Sequence, residues 1–190
     1  YLEQTYNKPP ALIIKKGIQS KPEIVMQSNQ QQQKYYWGSS ELITYKNPQG
    51  NFSKAALFYP ANYNASQKYP MIVMIYQSLS GQLHRYINPS EYNETGFNIS
   101  NLTTQGYFVL LPDIVYQRSE PGISAQKCVV NACKSLIDKG LVDDKKIGLF
   151  GHSFGAYEAI FTITQTNMFA AAIAGAAVTD LTSFYFSFDG

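Results

Sequence analysis

Two histidines, two cysteines and one tryptophan are all that 190 residues contain of these types, and charge is sparse and balanced, with 15 Lys and Arg against 13 Asp and Glu. Each scarcity excludes something. No Lys/Arg-rich run or basic stripe accompanies the net charge of +2, so the chain has no footprint for nucleic acid. No metal-ligand cluster and no phosphate-cradling glycine loop stand out, so the sequence implies no cofactor and no metal. Apolar runs are strand-sized, which predicts no membrane-spanning helix and no membrane partner. Cys128 and Cys133 lie five apart on one predicted helix and point to different faces, which reads as two buried free thiols. The chain opens on Tyr1 without a charged-then-apolar leader, and its start reads as an internal point of a longer polypeptide.

What is present is aromatic and apolar: 15 Tyr, and 45% hydrophobic residues over a length that fits one domain or somewhat more. Five N-x-S/T sequons, at Asn51, Asn64, Asn93, Asn98 and Asn101, read as chance matches in a chain rich in Asn and Ser. Residues 1–10 are polar, end in Pro-Pro and read as an irregular lead-in. Ala11 to Lys15 and Glu23 to Gln27 are short β-like runs, too small to bury a face alone. Ser28 to Gln33 is a Gln-rich tract, read as a linker or loop, with a domain boundary near 28–38. Residues 1–38 are thus expected to be the tail of a preceding β-rich unit plus a linker, and residues 39–190 a second domain.

From Glu41 the pattern changes. Leu42 to Tyr45 and Ala55 to Tyr59 read as paired strands joined by the turn Asn47-Pro-Gln-Gly50. Met71 to Tyr76 and Tyr107 to Leu111 are continuous apolar runs, the pattern of strands covered on both faces. Asn98 to Gln105 and Ile123 to Lys139 read as helices. Lys146 to Phe150, a turn, a helix over 154–166 and a strand over Ala170 to Ala174 complete the series. An antiparallel start followed by alternating strands and helices predicts an α/β fold: a mostly parallel sheet with helices on both faces.

One stretch carries chemistry. Gly151-His-Ser-Phe-Gly155 spells G-x-S-x-G between an apolar strand and a helix, the context of a nucleophile elbow with Ser153 at its apex. The two glycines have a steric reason. The serine needs a strained backbone to lift its hydroxyl above the sheet edge, and strand and helix pass too close for side chains at Gly151 and Gly155. Open α/β sheets place their sites beyond the carboxyl ends of the strands, and Ser153 follows such an end.

Lys68-Tyr-Pro-Met-Ile-Val, Tyr107-Phe-Val-Leu-Leu-Pro-Asp113, Val142-Asp-Asp-Lys-Lys-Ile-Gly148 and Gly151-His-Ser-Phe-Gly-Ala-Tyr-Glu158 together resemble the α/β-hydrolase domain of the prolyl oligopeptidase family of serine peptidases, from about Glu41 to the end. The resemblance implies a β-propeller before the hydrolase domain, so that residues 11–27 correspond to its last strands. It implies a triad in the order Ser, Asp, His with Ser153 as nucleophile. The Phe154 backbone N–H and the Tyr76 hydroxyl are the expected oxyanion donors. The segment Gln77-Ser-Leu-Ser-Gly81 departs from the family's usual Gly- and Pro-rich form.

The triad is incomplete here. Both histidines, His84 and His152, precede Ser153, whereas hydrolase-fold order puts acid and base after it. Asp180 follows the last predicted strand, and Asp113 and Glu158 read as structural polar residues. The expectation is a serine peptidase for short peptides acting through an acyl-enzyme on Ser153. This chain is then the N-terminal part of an incomplete hydrolase domain, inactive alone, whose partners are a peptide substrate and the remainder of its own polypeptide. An esterase on the same fold and a non-catalytic binding module are the alternatives. The resemblance favours a secreted or periplasmic location over a cytoplasmic one.

Overall fold

The computed structural model describes residues 1–92 and 95–187, and the sequon at Asn93 lies outside them. The first 27 residues form an antiparallel sheet in the order β1-β2-β3, with β1 at Leu2–Thr5, β2 at Lys8–Ile14 and β3 at Glu23–Gln27. Residues 1–10 are therefore paired, where an irregular lead-in was expected. The prolines fit because their carbonyls are used and no N–H is required of them: Ser28 N–H donates to Pro10 O at 3.1 Å and Gln27 Nε2 to Pro9 O at 3.1 Å. The Gln-rich tract is likewise no open loop but a 3₁₀ turn over Gln30–Lys34. Its buried Gln32 donates to Asn7 O at 3.0 Å.

The second sheet has the order β4-β5-β7-β6-β8-β9. Its strands are β4 at Ser40–Lys46, β5 at Phe52–Phe58, β6 at Tyr69–Ile75, β7 at Phe108–Pro112, β8 at Val142–His152 and β9 at Ala171–Gly175. β4 pairs antiparallel with β5, and β5 with β7; β6 with β7, β6 with β8, and β8 with β9 are all parallel. Between them run α1 at Ile99–Thr104, α2 at Pro121–Asp138, α3 at Phe154–Gln165 and α4 at Leu181–Phe186. The period-2 alternation of each strand assigns its side chains to two cores. Leu57, Val73, Ile75, Leu110 and Leu149 face α2 and α3, where they meet Ala125, Cys128, Val129 and Ala159. Phe58, Val109 and Leu111 face α1 and meet Ile99 and Leu79. Helices cover both faces, as the alternation of elements implied.

Tyr6 ties the two sheets together. Its ring is buried in the α1-side core, edge-on to Phe58 at 4.7 Å, and its hydroxyl lies 2.6 Å from Thr103 Oγ1. Trp37 donates Nε1–H to Tyr6 O at 3.1 Å and stacks on Tyr86.

Coverage of the sheet fades toward β9. β7 is buried along its whole length, as its apolar run predicts, but β6 is not covered on both faces. Met71, Val73 and Ile75 are buried, whereas Ile72 and Met74, on the opposite face, are only half-buried. Ile72, Phe97, Leu102, Phe150 and Ile173 instead line an open apolar cleft. In β9, Ala171 to Ala174 are all exposed despite their apolar character.

Candidate active site

Three elements meet at the elbow. β8 lies in the middle of the parallel strands, between β6 and β9, so its carboxyl end opens onto the sheet edge flanked by both neighbours. Ser153 follows it at φ 57°, ψ −123°, a left-handed conformation for a residue with a β-carbon, and forms the N-cap of α3. The strain is held by the surroundings: Ser153 N–H donates to Gly175 O at 2.9 Å, and Ser153 O accepts from Ala156 N–H at 3.0 Å. The glycines are required by contact. A β-carbon at Gly151 would stand 2.0 Å from Gly155 O, and one at Gly155 would stand 2.3 Å from Ile75 O. The obstructing atoms are backbone, so no side-chain rotation relieves either clash. The Phe154 N–H, first in α3, has no intrahelical acceptor and lies at the positive end of the helix.

Tyr76 is the residue directly after β6, and its ring borders the elbow: Cδ2 lies 3.2 Å from where a Gly155 β-carbon would be. The structure thus brings Gly151, Ser153, Phe154, Gly155 and Tyr76 together. The segment after Tyr76 is pinned from the neighbouring strand end. Asp113 accepts from Ser80 N–H at 2.9 Å and from Ser80 Oγ at 2.6 Å, and Ile114 N–H donates to Gln77 O at 2.9 Å. Asp113 is therefore the anchor that fixes the chain leaving Tyr76, a role that its reading as a structural residue does not specify.

The histidines are elsewhere. His84 is exposed at the end of the half-buried 3₁₀ turn Ser80–His84, and His152 rests its ring on Gly175, with Cδ2 3.3 Å from that residue's missing β-carbon position. Asp180 is engaged as the N-cap of α4, accepting from Thr182 N–H at 2.9 Å and from Ser183 Oγ, bonds that hold its carboxyl below the usual carboxylate range. Both cysteines are free and buried in α2, and burial pushes the Cys133 thiol up to about 12. Asn98 is buried and caps α1 through Asn101 N–H, so its sequon is committed to structure. Among the described residues no group of His, Cys, Asp and Glu has the makings of a metal site.

One pair escapes a reading of the sequence. Glu158, fully buried on α3, accepts from the hydroxyl of Tyr116, a residue that no motif singles out. The signal lies in the spacing: Gly155, Ala156, Glu158, Ala159 and Thr162 form the buried face of α3, and a carboxyl on such a face needs a partner.

A parallel-sheet strand, a left-handed serine and a helix opening toward it define an α/β-hydrolase elbow. Residues 119–189 match the sequence model of the prolyl oligopeptidase family. Through the segment that holds its elbow, the chain is similar to that family, as its sequence blocks implied. Solved structures agree in fold. An acylaminoacyl peptidase of Pyrococcus horikoshii superposes with a TM-score of 0.75 at 19% identity, covering 98% of this chain and 31% of its own. A puromycin-hydrolyzing peptidase of Mycobacterium tuberculosis gives 0.72 at 18%, covering 99% and 30%. Dipeptidyl peptidase 4 of Porphyromonas gingivalis gives 0.70 at 20%, covering 94% and 27%. The chain spans less than a third of the length of each of these structures. No curated protein sequence matches it.

Proposed function

We propose that this chain carries the nucleophile and oxyanion side of a serine peptidase acting on short peptides. The observation that supports the reading most is Ser153 itself, a left-handed residue held between two glycines that tolerate no side chain. A turn that only linked a strand to a helix would have no use for that strain. In the proposed reaction Ser153 Oγ attacks the scissile carbonyl carbon while a histidine takes the hydroxyl proton. The resulting oxyanion accepts hydrogen bonds from Phe154 N–H and the Tyr76 hydroxyl. Collapse breaks the C–N bond, the amine leaves with the proton held by the histidine, and an acyl ester remains on Ser153. Water, giving its proton to the same histidine, then releases the acid and restores the serine.

The histidine and its orienting carboxylate are proposed to come from sequence beyond these 190 residues, since both histidines here precede Ser153. The exposed apolar β9 and the open cleft beside it are consistent with more chain packing there. The sheet β1–β3 is proposed to belong to a preceding β domain, anchored to the hydrolase domain by Tyr6. An esterase on the same fold differs only in the leaving group, and relative turnover of matched peptide anilides and esters separates the two. The test uses the complete polypeptide that contains this sequence. Hydrolysis of short peptidyl anilides is expected to drop by about 10³-fold or more in Ser153→Ala, with no turnover by residues 1–190 alone. Equal turnover by Ser153→Ala would remove the proposal.

A further inference from the structure

Glu158 is a carboxyl group on the buried face of the elbow helix, whose other members are Gly155, Ala156, Ala159 and Thr162. It is fully buried, its Oε1 accepts from Tyr116, and its Oε2 has no hydrogen-bond partner among the described residues. The titratable groups facing it are Tyr116 from the segment after β7 and Cys128 from α2; Tyr76, directly after β6, faces Tyr116, and Tyr45 lies beyond Cys128. None of them carries a positive charge, and neither ion pair found among the described residues involves Glu158. Position on α3 connects this group to the elbow. Gly155, one turn earlier on the same face, touches Ile75 and the Tyr76 ring, and Ser153 stands five residues back, about 7–8 Å along the helix axis.

We infer that Glu158 is a positioning and tuning residue for Ser153: through Tyr116 it ties the elbow helix to the segment after β7, and its ionised form places a negative charge behind the reacting centre. The inference rests on the reading of Ser153 as nucleophile. Burial pushes the carboxyl up to about 7, with the Tyr116 bond opposing that rise, and burial likewise pushes the Tyr116 hydroxyl up. The pair therefore gains one negative charge as pH passes through neutrality, and the charge resides on the carboxylate. A carboxylate this close, in a low-dielectric core and without a counter-ion, disfavours negative charge developing at Ser153 and its oxyanion. The neutral carboxyl does not.

The test follows the rate at which a fluorophosphonate probe labels Ser153 in the complete polypeptide across the neutral range. In that step the Ser153 Oγ–P bond forms, P–F breaks, fluoride leaves and the hydroxyl proton passes to the histidine. Glu158→Gln keeps an acceptor for Tyr116 but is permanently neutral. Its labelling rate relative to the unaltered protein is expected to climb from about one in acid to about three- to tenfold in mild alkali, with an inflection near 7. Tyr116→Phe retains the carboxyl and removes the bond that favours its ionised form, so the inflection is expected at higher pH. A rate ratio flat with pH for Glu158→Gln, or an unmoved inflection in Tyr116→Phe, overturns the inference while leaving Ser153 the nucleophile. Absence of labelling in all three proteins overturns the nucleophile reading, and this inference with it.

Discussion

Replacing Glu158 by glutamine removes a pH dependence from the folding stability of this protein, and the size of the effect follows from one buried group. The carboxyl, ordinarily half-ionised at 4.5, is pushed up to about 7 by burial in the folded chain. Below about 4.5 it is protonated in folded and unfolded states alike and has no linkage cost. Between 4.5 and about 7 the folded state holds a proton that the unfolded state has released, so stability falls as pH rises. Above about 7 the loss is complete, at about 3 kcal/mol, taking about 1.4 kcal/mol for each tenfold change in the protonation equilibrium. The side chain is fully buried, so solvent screening does not discount the figure. The glutamine of the variant leaves an amide N–H₂ to be satisfied, which costs about 1–3 kcal/mol, but that cost is the same at every pH. Guanidinium chloride unfolding of both proteins at about pH 4 and about pH 8 isolates the carboxyl as the change in their difference. The variant is expected to gain about 3 kcal/mol on the unaltered protein between the two conditions. A stability difference equal at both pH values would refute the assignment of a raised, uncompensated carboxyl to α3.

Two further outcomes are expected. Gly155→Ala puts a β-carbon 2.3 Å from Ile75 O, a contact between two backbones, so it is expected to destabilise the fold by about 3 kcal/mol and lower the denaturant midpoint at unchanged slope. Tyr76→Phe retains the ring beside Gly155 and removes only the hydroxyl; peptide turnover by the complete polypeptide is expected to fall about 10²–10³-fold in kcat with little change in KM, and an unchanged kcat removes Tyr76 from the oxyanion site.

The sequence disclosed those parts of the fold whose pattern is set by burial. Phe108 to Leu111 has no polar residue because both its faces are covered, and the elbow is legible because steric contact leaves only glycine at 151 and 155. Where order comes from polar contacts, the pattern is silent. β1 has no buried stripe to betray a strand, and the Gln-rich tract is ordered by single bonds such as Gln32 to Asn7. α4 carries a readable sign, an Asp followed by Thr and Ser; the place of Asp180 after the last strand suggests an acid, but its geometry is that of a helix cap. Met71 to Ile75 misleads in the other direction. Its apolar run suggests two covered faces, while Ile72 and Met74 stay half-buried and Ile72 lines an open cleft. The proposed site is visible in its elbow and less so in its supports: Asp113 pins the chain after Tyr76 across two strand ends, a contact that no local spacing announces.

The central claim, that Ser153 is an activated nucleophile, is tested most directly by fluorophosphonate labelling of the complete polypeptide followed by mass-spectrometric location of the adduct. The account predicts a single adduct on the peptide containing Gly151-His-Ser-Phe-Gly155, at Ser153, and none in Ser153→Ala. An unlabelled Ser153 in protein that hydrolyses peptides, or an adduct at another serine, would contradict it.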